Sequence, residues 1–273
     1  MSETSITVRP LWKLEEFRQC ERIQQNVWGS TGVSSEALLV TQKYGGMVLG
    51  ALAGHQLVGF LYAFLARRSG DLIHWSHMMA VEAGYRDRGL GFRMKLEHRR
   101  RALEQGIRSI AWTFDPLQSR NAALNLTRLG AQVVEYLPDC YGPFPSAIEH
   151  GLPSDRFVAD WRIGSHRVEQ RLRSRARLSF STRLPCVNET EPDSRGLLVN
   201  RRLHLSLSAR RVLVEIPADT DRIRTLDMNL GRRWRMEARS VFQRYLGAGY
   251  RVEDFRPPGT AADGGAYYLL LRE

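Results

Sequence analysis

The alternation of apolar and polar positions predicts most of the chain's elements. Residues 6–10 form a short apolar-polar run that predicts a strand. Leu14, Phe17, Ile23 and Val27 recur at helical spacing, predicting a helix over 14–28 that Gly29 ends. A second helix is expected from Ser34-Ser35-Glu36 to about Tyr44, before Gly45-Gly46. Residues 47–53 and 56–66 read as two strands of a hairpin joined at Gly54-His55, and 73–81 as another strand. A polar helix over 89–105 is closed by Gly106, followed by a strand over 107–114. A short helix over 121–129 stops at Gly130, and strands over 132–137 and 156–163 complete the set. Strand, two helices, three strands, helix, strand, helix and two strands predict an α/β fold with a mixed sheet.

The character changes past residue 164. Residues 165–179 are arginine-rich and start as a helix, and 185–196 are polar and turn-like, as in a linker. Val212, Val214 and Ile216 alternate as in a strand. Ile223, Leu226, Leu230, Trp234, Ala238, Val241 and Tyr245 predict one long helix over 219–247. Strands over 250–255 and 266–272 follow. The expected organisation is therefore a first domain over 1–164, a basic helix and linker over 165–196, and a smaller strand-helix-strand-strand domain over 197–273. That last domain echoes the second half of the first and would pack by continuing its sheet or at a subunit interface, making a homodimer one expectation.

Composition narrows the class. A hydrophobic content of 43% with 25% charged residues fits a folded, soluble chain rather than a disordered one. Cys20, Cys140 and Cys186 are odd in number, far apart and form no CxxC pair, so neither a disulfide framework nor a zinc site is expected. No apolar signal core follows Met1, and the longest apolar run is too short for a membrane helix. A cytoplasmic protein without membrane partners is the expectation. The net charge of +11 favours an anionic partner such as nucleic acid, phospholipid headgroups or a phosphorylated cofactor.

One stretch chooses among these. Met78-Met79-Ala80-Val81-Glu82-Ala83-Gly84-Tyr85-Arg86-Asp87-Arg88-Gly89-Leu90-Gly91 carries a strand into a glycine-containing turn that opens a helix. Amides at a helix start point toward a bound anion, and glycines let phosphates approach the backbone. Arg86 and Arg88 can add charge-assisted bonds. A Walker loop and a dinucleotide fingerprint are both absent. The pattern R-x-x-G-x-G after the fourth strand resembles the acyl-CoA signature of the GNAT superfamily of N-acetyltransferases. Met79-Ala80-Val81 at the strand's end, the order of elements over 4–163, and Leu129-Gly130-Ala131 closing the later helix add to that likeness.

The resemblance implies a GNAT-type, mostly antiparallel mixed sheet flanked by helices, and transfer of an acyl group from acyl-CoA to an amine. It implies that Met79, Ala80 and Val81 pair with the pantetheine arm, and that the backbone around Val81 polarises the thioester carbonyl. The turn Arg86, Asp87, Arg88, Gly89, Leu90 and Gly91 would hold the pyrophosphate. His77 lies four residues before Val81, which by simple alternation puts both side chains on one face, and arylalkylamine N-acetyltransferases look similar there. It is the candidate base, and His74 has the opposite parity. Many members carry a general-acid tyrosine where this chain has Leu126, so Tyr141 or Tyr136 is left as a substitute. Asn121 is the candidate pantetheine ligand, although Ser119 holds the usual position, with Asn125 one turn further on. Arg93 is a further candidate for the CoA ribose phosphate.

Phe114 to Ala122, Pro153-Ser154-Asp155-Arg156 and Trp161 look like a branch of predicted acyltransferases similar to succinyl-CoA-dependent amino-acid N-succinyltransferases. The implied donor is acetyl-CoA or succinyl-CoA, with no metal, and the implied acceptor is a small-molecule amine such as an amino acid. Glu36, Tyr44 and Arg156 are candidate acceptor ligands, Arg156 because a guanidinium suits a carboxylate. Two other readings stand beside this one. A non-catalytic acyl-CoA-binding or regulatory module would accommodate Leu126. Nucleic-acid binding through 165–183 would use the basic charge, but no recognition motif or interleaved aromatics support it.

Overall fold

The computed structural model describes residues 5–142, 151–173, 180–181, 183–259 and 265–273. The chain divides into two compact units. Among the described residues, the first unit holds 5–112 and 162–164, and the second holds 113–142, 151–161 and the rest from 165 onward.

In the first unit, β1 (Ile6–Pro10), β2 (Met47–Ala53), β3 (Gln56–Arg68) and β4 (Asp71–Val81) lie side by side, each antiparallel to the next. β5 (Ser109–Phe114) lies parallel to β4. Both faces of this sheet are covered, so β2 and β3 read as nearly continuous apolar runs. α1 (Leu14–Trp28) and α2 (Ser35–Lys43) cover one face, where Phe17, Ile23 and Leu38 pack with Val48, Phe60, Tyr62 and Ala80. α3 (Leu90–Glu104) covers the other, with Leu90 and Met94 against Leu49, Ala51, Val58 and Leu61. Glu16 starts α1 by accepting the backbone N–H groups of Trp12 and Lys13, and Gly29 ends it in the left-handed region.

The second unit contains β6 (Gln132–Leu137), β7 (Arg156–Arg162), β10 (Arg211–Ile216), β11 (Tyr250–Arg256) and β12 (Ala266–Arg272), in the order β7-β6-β11-β12-β10 and antiparallel throughout. Of the two expected packings, the second unit shows the continued sheet: β11 pairs with β6, so C-terminal strands extend the sheet of β6 and β7. α4 (Ser119–Ala122) runs on into a π-helical turn over Ala123–Arg128, and α5 (His166–Arg173) follows β7. The rest of the expected basic helix, 174–179, lies outside the described residues. α5 is tied down by its arginines: Arg167 bonds Glu253 and the Gly130 carbonyl, and Arg171 bonds Asp254.

Three expectations change. The division falls after Trp112 rather than at residue 164. Asp115 and Asp155 of the second unit are bound to its C-terminal helix by two ion pairs, the first buried and the second part-buried. Arg235 makes two bonds to Asp115, at 2.7 and 2.6 Å, and Arg239 makes two to Asp155, at 3.0 and 2.5 Å. The stretch expected as a linker contains β8 (Asn188–Pro192), hairpinned with β9 (Leu198–Leu203). The buried Asn188 amide fixes it by donating to Asn200 and to the Glu215 carbonyl. The single long helix is two, α6 (Thr220–Leu226) and α7 (Met228–Gly247). Asp227 between them is extended (φ −156°, ψ 94°) and caps α7 by accepting the Leu230 N–H. Periodicity does not register such a break, because the apolar spacing runs on from buried Ile223 in α6 to buried Leu230 and Trp234 in α7, although Leu226 itself is exposed.

Burial alone would raise the Asp115 carboxyl's pKa, but Arg235 and the Leu117 N–H hold it below the usual carboxylate range. Asp155 is likewise opposed by burial and lowered by Arg239, Tyr136 and the Asp139 N–H. Both contribute stability that is complete above about pH 4 and lost as the pH falls through the lowered native values. Arg235→Met should cost about 3–5 kcal/mol in urea unfolding, because it strands a buried carboxylate. The double variant Asp115→Leu/Arg235→Met should recover most of that. A loss below about 1 kcal/mol for the single variant would show that the pair does not hold the unit together.

Candidate functional site

β4 has two neighbours at its start and one at its end. β3 accompanies it over its whole length, from Arg68↔Asp71 to Gly59↔Val81. On its other edge, β5 pairs only at His74↔Ile110 and Trp75↔Ala111. From Ser76 to Val81 the edge facing β5 carries no ladder partner among the described residues. Five residue steps of strand span about 16 Å at about 3.3 Å each. Apart from the Val81 carbonyl, which accepts from the Arg86 side chain, such an edge has N–H and C=O groups without a strand partner, which suits a ligand carrying amides of its own.

The arginine-glycine turn lies at the open end of this fork. Ala83–Tyr85 form a single 3-10 turn after β4. Asp87 (φ 64°) and Gly89 (φ 71°) then take left-handed conformations that reverse the chain into α3. A Cβ on Gly89 would touch nothing within 4 Å, so glycine serves the backbone conformation and leaves the approach open. No side chain caps α3, and its first turn has no acidic residue. Its first amides therefore have no intrahelical acceptor, and the helix dipole favours an anion there. Arg86 and Arg88 are exposed. The Arg86 Nε donates to the Val81 carbonyl at 3.1 Å, tying the turn to the strand's end, and Arg88 lies over the Tyr85 ring. Arg93 is engaged elsewhere, donating to the Ile6 carbonyl of β1.

The β3–β4 register shifts at Tyr62↔Met78 and Ala63↔Ser76, leaving His77 as the extra residue of a bulge. This overturns the simple alternation. Val81 and Met79 pack on the α3 side, whereas His77 sits edge-on to Tyr62 (6.0 Å between ring centres) and near Phe64 (5.9 Å), on the α1/α2 side. His74 is the histidine that shares the face of Val81. It is fully buried, and its ring faces His98 of α3. His77 is exposed at its edge, yet the loss of water beside the two rings lowers its pKa from the usual histidine value.

Beneath the fork's closed end is a buried polar group that sequence reasoning missed. Lys95 of α3 is 2% exposed. Its Nζ donates to the Ser76 Oγ at 3.0 Å and lies 3.6 Å from the centre of the Trp112 ring. Ser76 and Trp112 are the first residues of β4 and β5 past their last pair. No carboxylate among the described residues pairs with the amine, and burial brings its pKa down to about 7. One turn along, the His74 Nε2–H donates to the Gly45 carbonyl, so in neutral rings His98 Nε2–H must donate to His74 Nδ1, at 2.9 Å. That leaves His98 Nδ1 as a buried acceptor without a partner. The available signal was positional: Lys95 and His98 fall on the stripe of Leu90, Met94 and Ala102 that faces the sheet.

The remaining candidates are reported unit by unit. In the first, Glu36 is exposed in the first turn of α2, accepting from the Ser35 hydroxyl, and Tyr44 is exposed at that helix's end. In the second, Asn121 is exposed on α4, while Ser119 is buried and donates to the Ala218 carbonyl. Leu126 is fully buried in the π-helical turn. Tyr136 donates its hydroxyl to Asp155 at 2.6 Å, and burial raises its pKa, so it is spent structurally. Tyr141 is 45% exposed and shares a 2.7 Å hydrogen bond with the Thr113 hydroxyl. The Arg156 guanidinium lies 5.4 Å over the Tyr141 ring. Asp155, next to Arg156 in the sequence, is fully buried against Tyr136 and Arg239.

No protein-family profile and no curated protein matches the chain. Solved structures similar to it include an acetyltransferase of GNAT family from Streptococcus pneumoniae, at 14% identity, covering 57% of this chain and 98% of that one with a TM-score of 0.47. The ribosomal-protein-S18-alanine N-acetyltransferase from Escherichia coli is 14% identical, covering 59% of this chain and 96% of its own with a TM-score of 0.49. NAA60 from Arabidopsis thaliana in complex with acetyl-CoA is 14% identical, covering 58% and 99% with a TM-score of 0.47. Among the described residues no helix is long and apolar enough to cross a membrane.

His77 should titrate below the ordinary value of about 6.5, and Phe64→Ala, by admitting water, should bring it back up. Proton NMR of the imidazole resonances measures both. A native His77 titrating at or above 6.5 would contradict the aromatic enclosure.

Proposed function

We propose that the chain is an acyl-CoA-dependent N-acyltransferase of the GNAT type, moving an acetyl or succinyl group to the amine of a small molecule such as an amino acid. One observation carries this reading: an unpaired strand edge, closed at Ser76, opens at Val81 onto an uncapped helix start flanked by arginines. A pyrophosphate suits the turn, because amides, dipole and guanidinium groups all favour negative charge there. The pantetheine arm, with two amides, suits the bare edge of β4 over Met79, Ala80 and Val81. Anchored at one end and confined by the fork, the thioester would be held at a fixed depth, which is the main requirement of a direct attack.

In this reading the acceptor amine approaches from the α1/α2 side, where His77 takes its proton as the C–N bond forms. A histidine below its usual pKa is neutral at pH 7 and ready to accept. Strand amides facing the fork polarise the thioester carbonyl. Glu36 on α2 suits an ammonium, and Arg156, stacked on Tyr141, suits a carboxylate of an amino acid or a succinyl group. Asn121 remains the candidate for the pantetheine's polar groups. The buried Leu126 favours the second reading, acyl-CoA binding without catalysis, because it removes the resemblance's usual proton donor.

Isothermal titration with acetyl-CoA and succinyl-CoA, followed by thiol release over a panel of amines, tests both. Arg86→Ala/Gly89→Val should raise the Kd for CoA by at least about tenfold, since a β-branched residue disfavours the left-handed turn. Unchanged affinity would remove the phosphate turn. Tight binding without acceptor-dependent thiol release would favour the non-catalytic reading. His77→Ala should lower kcat about a hundredfold near pH 7 with little change in CoA affinity. An unaltered pH-rate profile would remove His77 from the mechanism.

A further inference from the structure

We infer that Lys95 is the acid that protonates the departing thiolate. The inference rests on the proposed acyl transfer and assigns the step that Leu126 leaves without a donor. Its basis is the place where the amine ends. Ser76 and Trp112 mark the two prongs of the fork just past its last pair, and the Lys95 Nζ touches both. In this assignment the thioester of a ligand lying along β4 from the phosphate turn sits at the fork's closed end, deeper than the Val81 contact that the resemblance implies, and its sulfur lies beside that amine. His77 stands at the same depth of β4 on the opposite face. Nucleophile and leaving group therefore meet proton carriers on opposite sides of the sheet.

The chemistry balances. The acceptor nitrogen attacks the carbonyl carbon, forming C–N, and loses a proton to His77. The C–S bond breaks, its electron pair goes to sulfur, and sulfur takes a proton from the Lys95 ammonium. The proton gained by His77 equals the one lost by Lys95; exposed His77 releases its proton to solvent, and buried Lys95 regains one by way of the fork once the thiol has left. An ammonium brought down to about 7 by burial is acidic enough to protonate a thiolate whose thiol has a pKa of about 8.5. The titratable groups facing Lys95 are His98 on its own helix and, through His98, His74 on β4, while Trp112 on β5 and Ser76 on β4 do not titrate in this range. Burial and the neighbouring Lys95 and His74 hold His98 well below its usual pKa, so it stays neutral while the amine cycles.

A purely structural lysine would have a different signature. A buried amine without a counter-ion is a burden on the fold, so Lys95→Met should leave Tm unchanged or raised. With acetyl-CoA and the best acceptor from the amine panel, that variant should lose about a hundredfold in kcat, keep its Kd for CoA within about threefold, and lose the fall in rate on the alkaline side. With p-nitrophenyl acetate, whose phenolate departs without a proton, its rate should change by less than about threefold. Lys95→Arg keeps a cation that does not release its proton near neutrality, and should be as slow as the methionine variant with acetyl-CoA. Retained kcat with acetyl-CoA, an equal loss with both donors, or full activity of the arginine variant would each overturn the assignment. So would an acyl adduct on Lys95 after incubation with acetyl-CoA, which would make the amine an acceptor. Wild-type protein that neither binds CoA nor releases thiol would instead overturn the acyltransfer reading, and this inference with it.

Discussion

The decisive constraint is that β4 keeps one neighbour throughout and loses the other halfway. A strand interior normally spends its N–H and C=O groups on both sides, and leaving six residues with one bare edge would be costly if that edge were buried dry. The first unit accepts it because α1 and α2 on one face and α3 on the other hold β2, β3 and β4 firmly in place. The fork is therefore a stable feature of the covalent order, set by where β5 begins to pair and where it stops.

The turn and the fork belong to the same strand-to-helix passage, so one local segment sets both the anchor and the depth of a bound chain. Gly89 reverses the backbone at φ 71°, Arg86 pins the turn to Val81, and α3 then returns beneath β4 to bring Lys95 under Ser76. The distance from the helix start to Lys95 is little more than one turn.

Much of this was legible in the residues themselves. Glycine and arginine around residues 86–91 announced a turn into a helix start, which the left-handed Asp87 and Gly89 make. The strands announced themselves through apolar runs such as Met47 to Ala53. The bulge did not, since nothing in Ser76-His77-Met78 distinguishes a bulged histidine from a paired one; the evidence lies in Ala63 and Tyr62 of the neighbouring strand. Parity counted along one strand therefore put His77 on the wrong face and excluded His74 from the right one. The division at Trp112 was equally hidden. Within the second unit Arg235 bonds Asp115 from 120 residues away, and arginines that become buried partners look like solvated ones in a sequence.

Lys95 shows the same limit from the other side. A lysine on a helix with four arginines is ordinarily a solvated one, and Arg93, Arg99, Arg100 and Arg101 flank it in the sequence. Those arginines spend their charge on carbonyls or glutamates: Arg93 on Ile6, Arg99 on Ile163, Arg100 and Arg101 on Glu97. Lys95 has neither solvent nor carboxylate, only a hydroxyl and an aromatic face. A folded chain gains nothing in stability from placing an amine there, since methionine would fill the same space without desolvating a charge. A cost of that kind, located where two strands part, is what the proposed acid role would account for and a role in the fold alone would not.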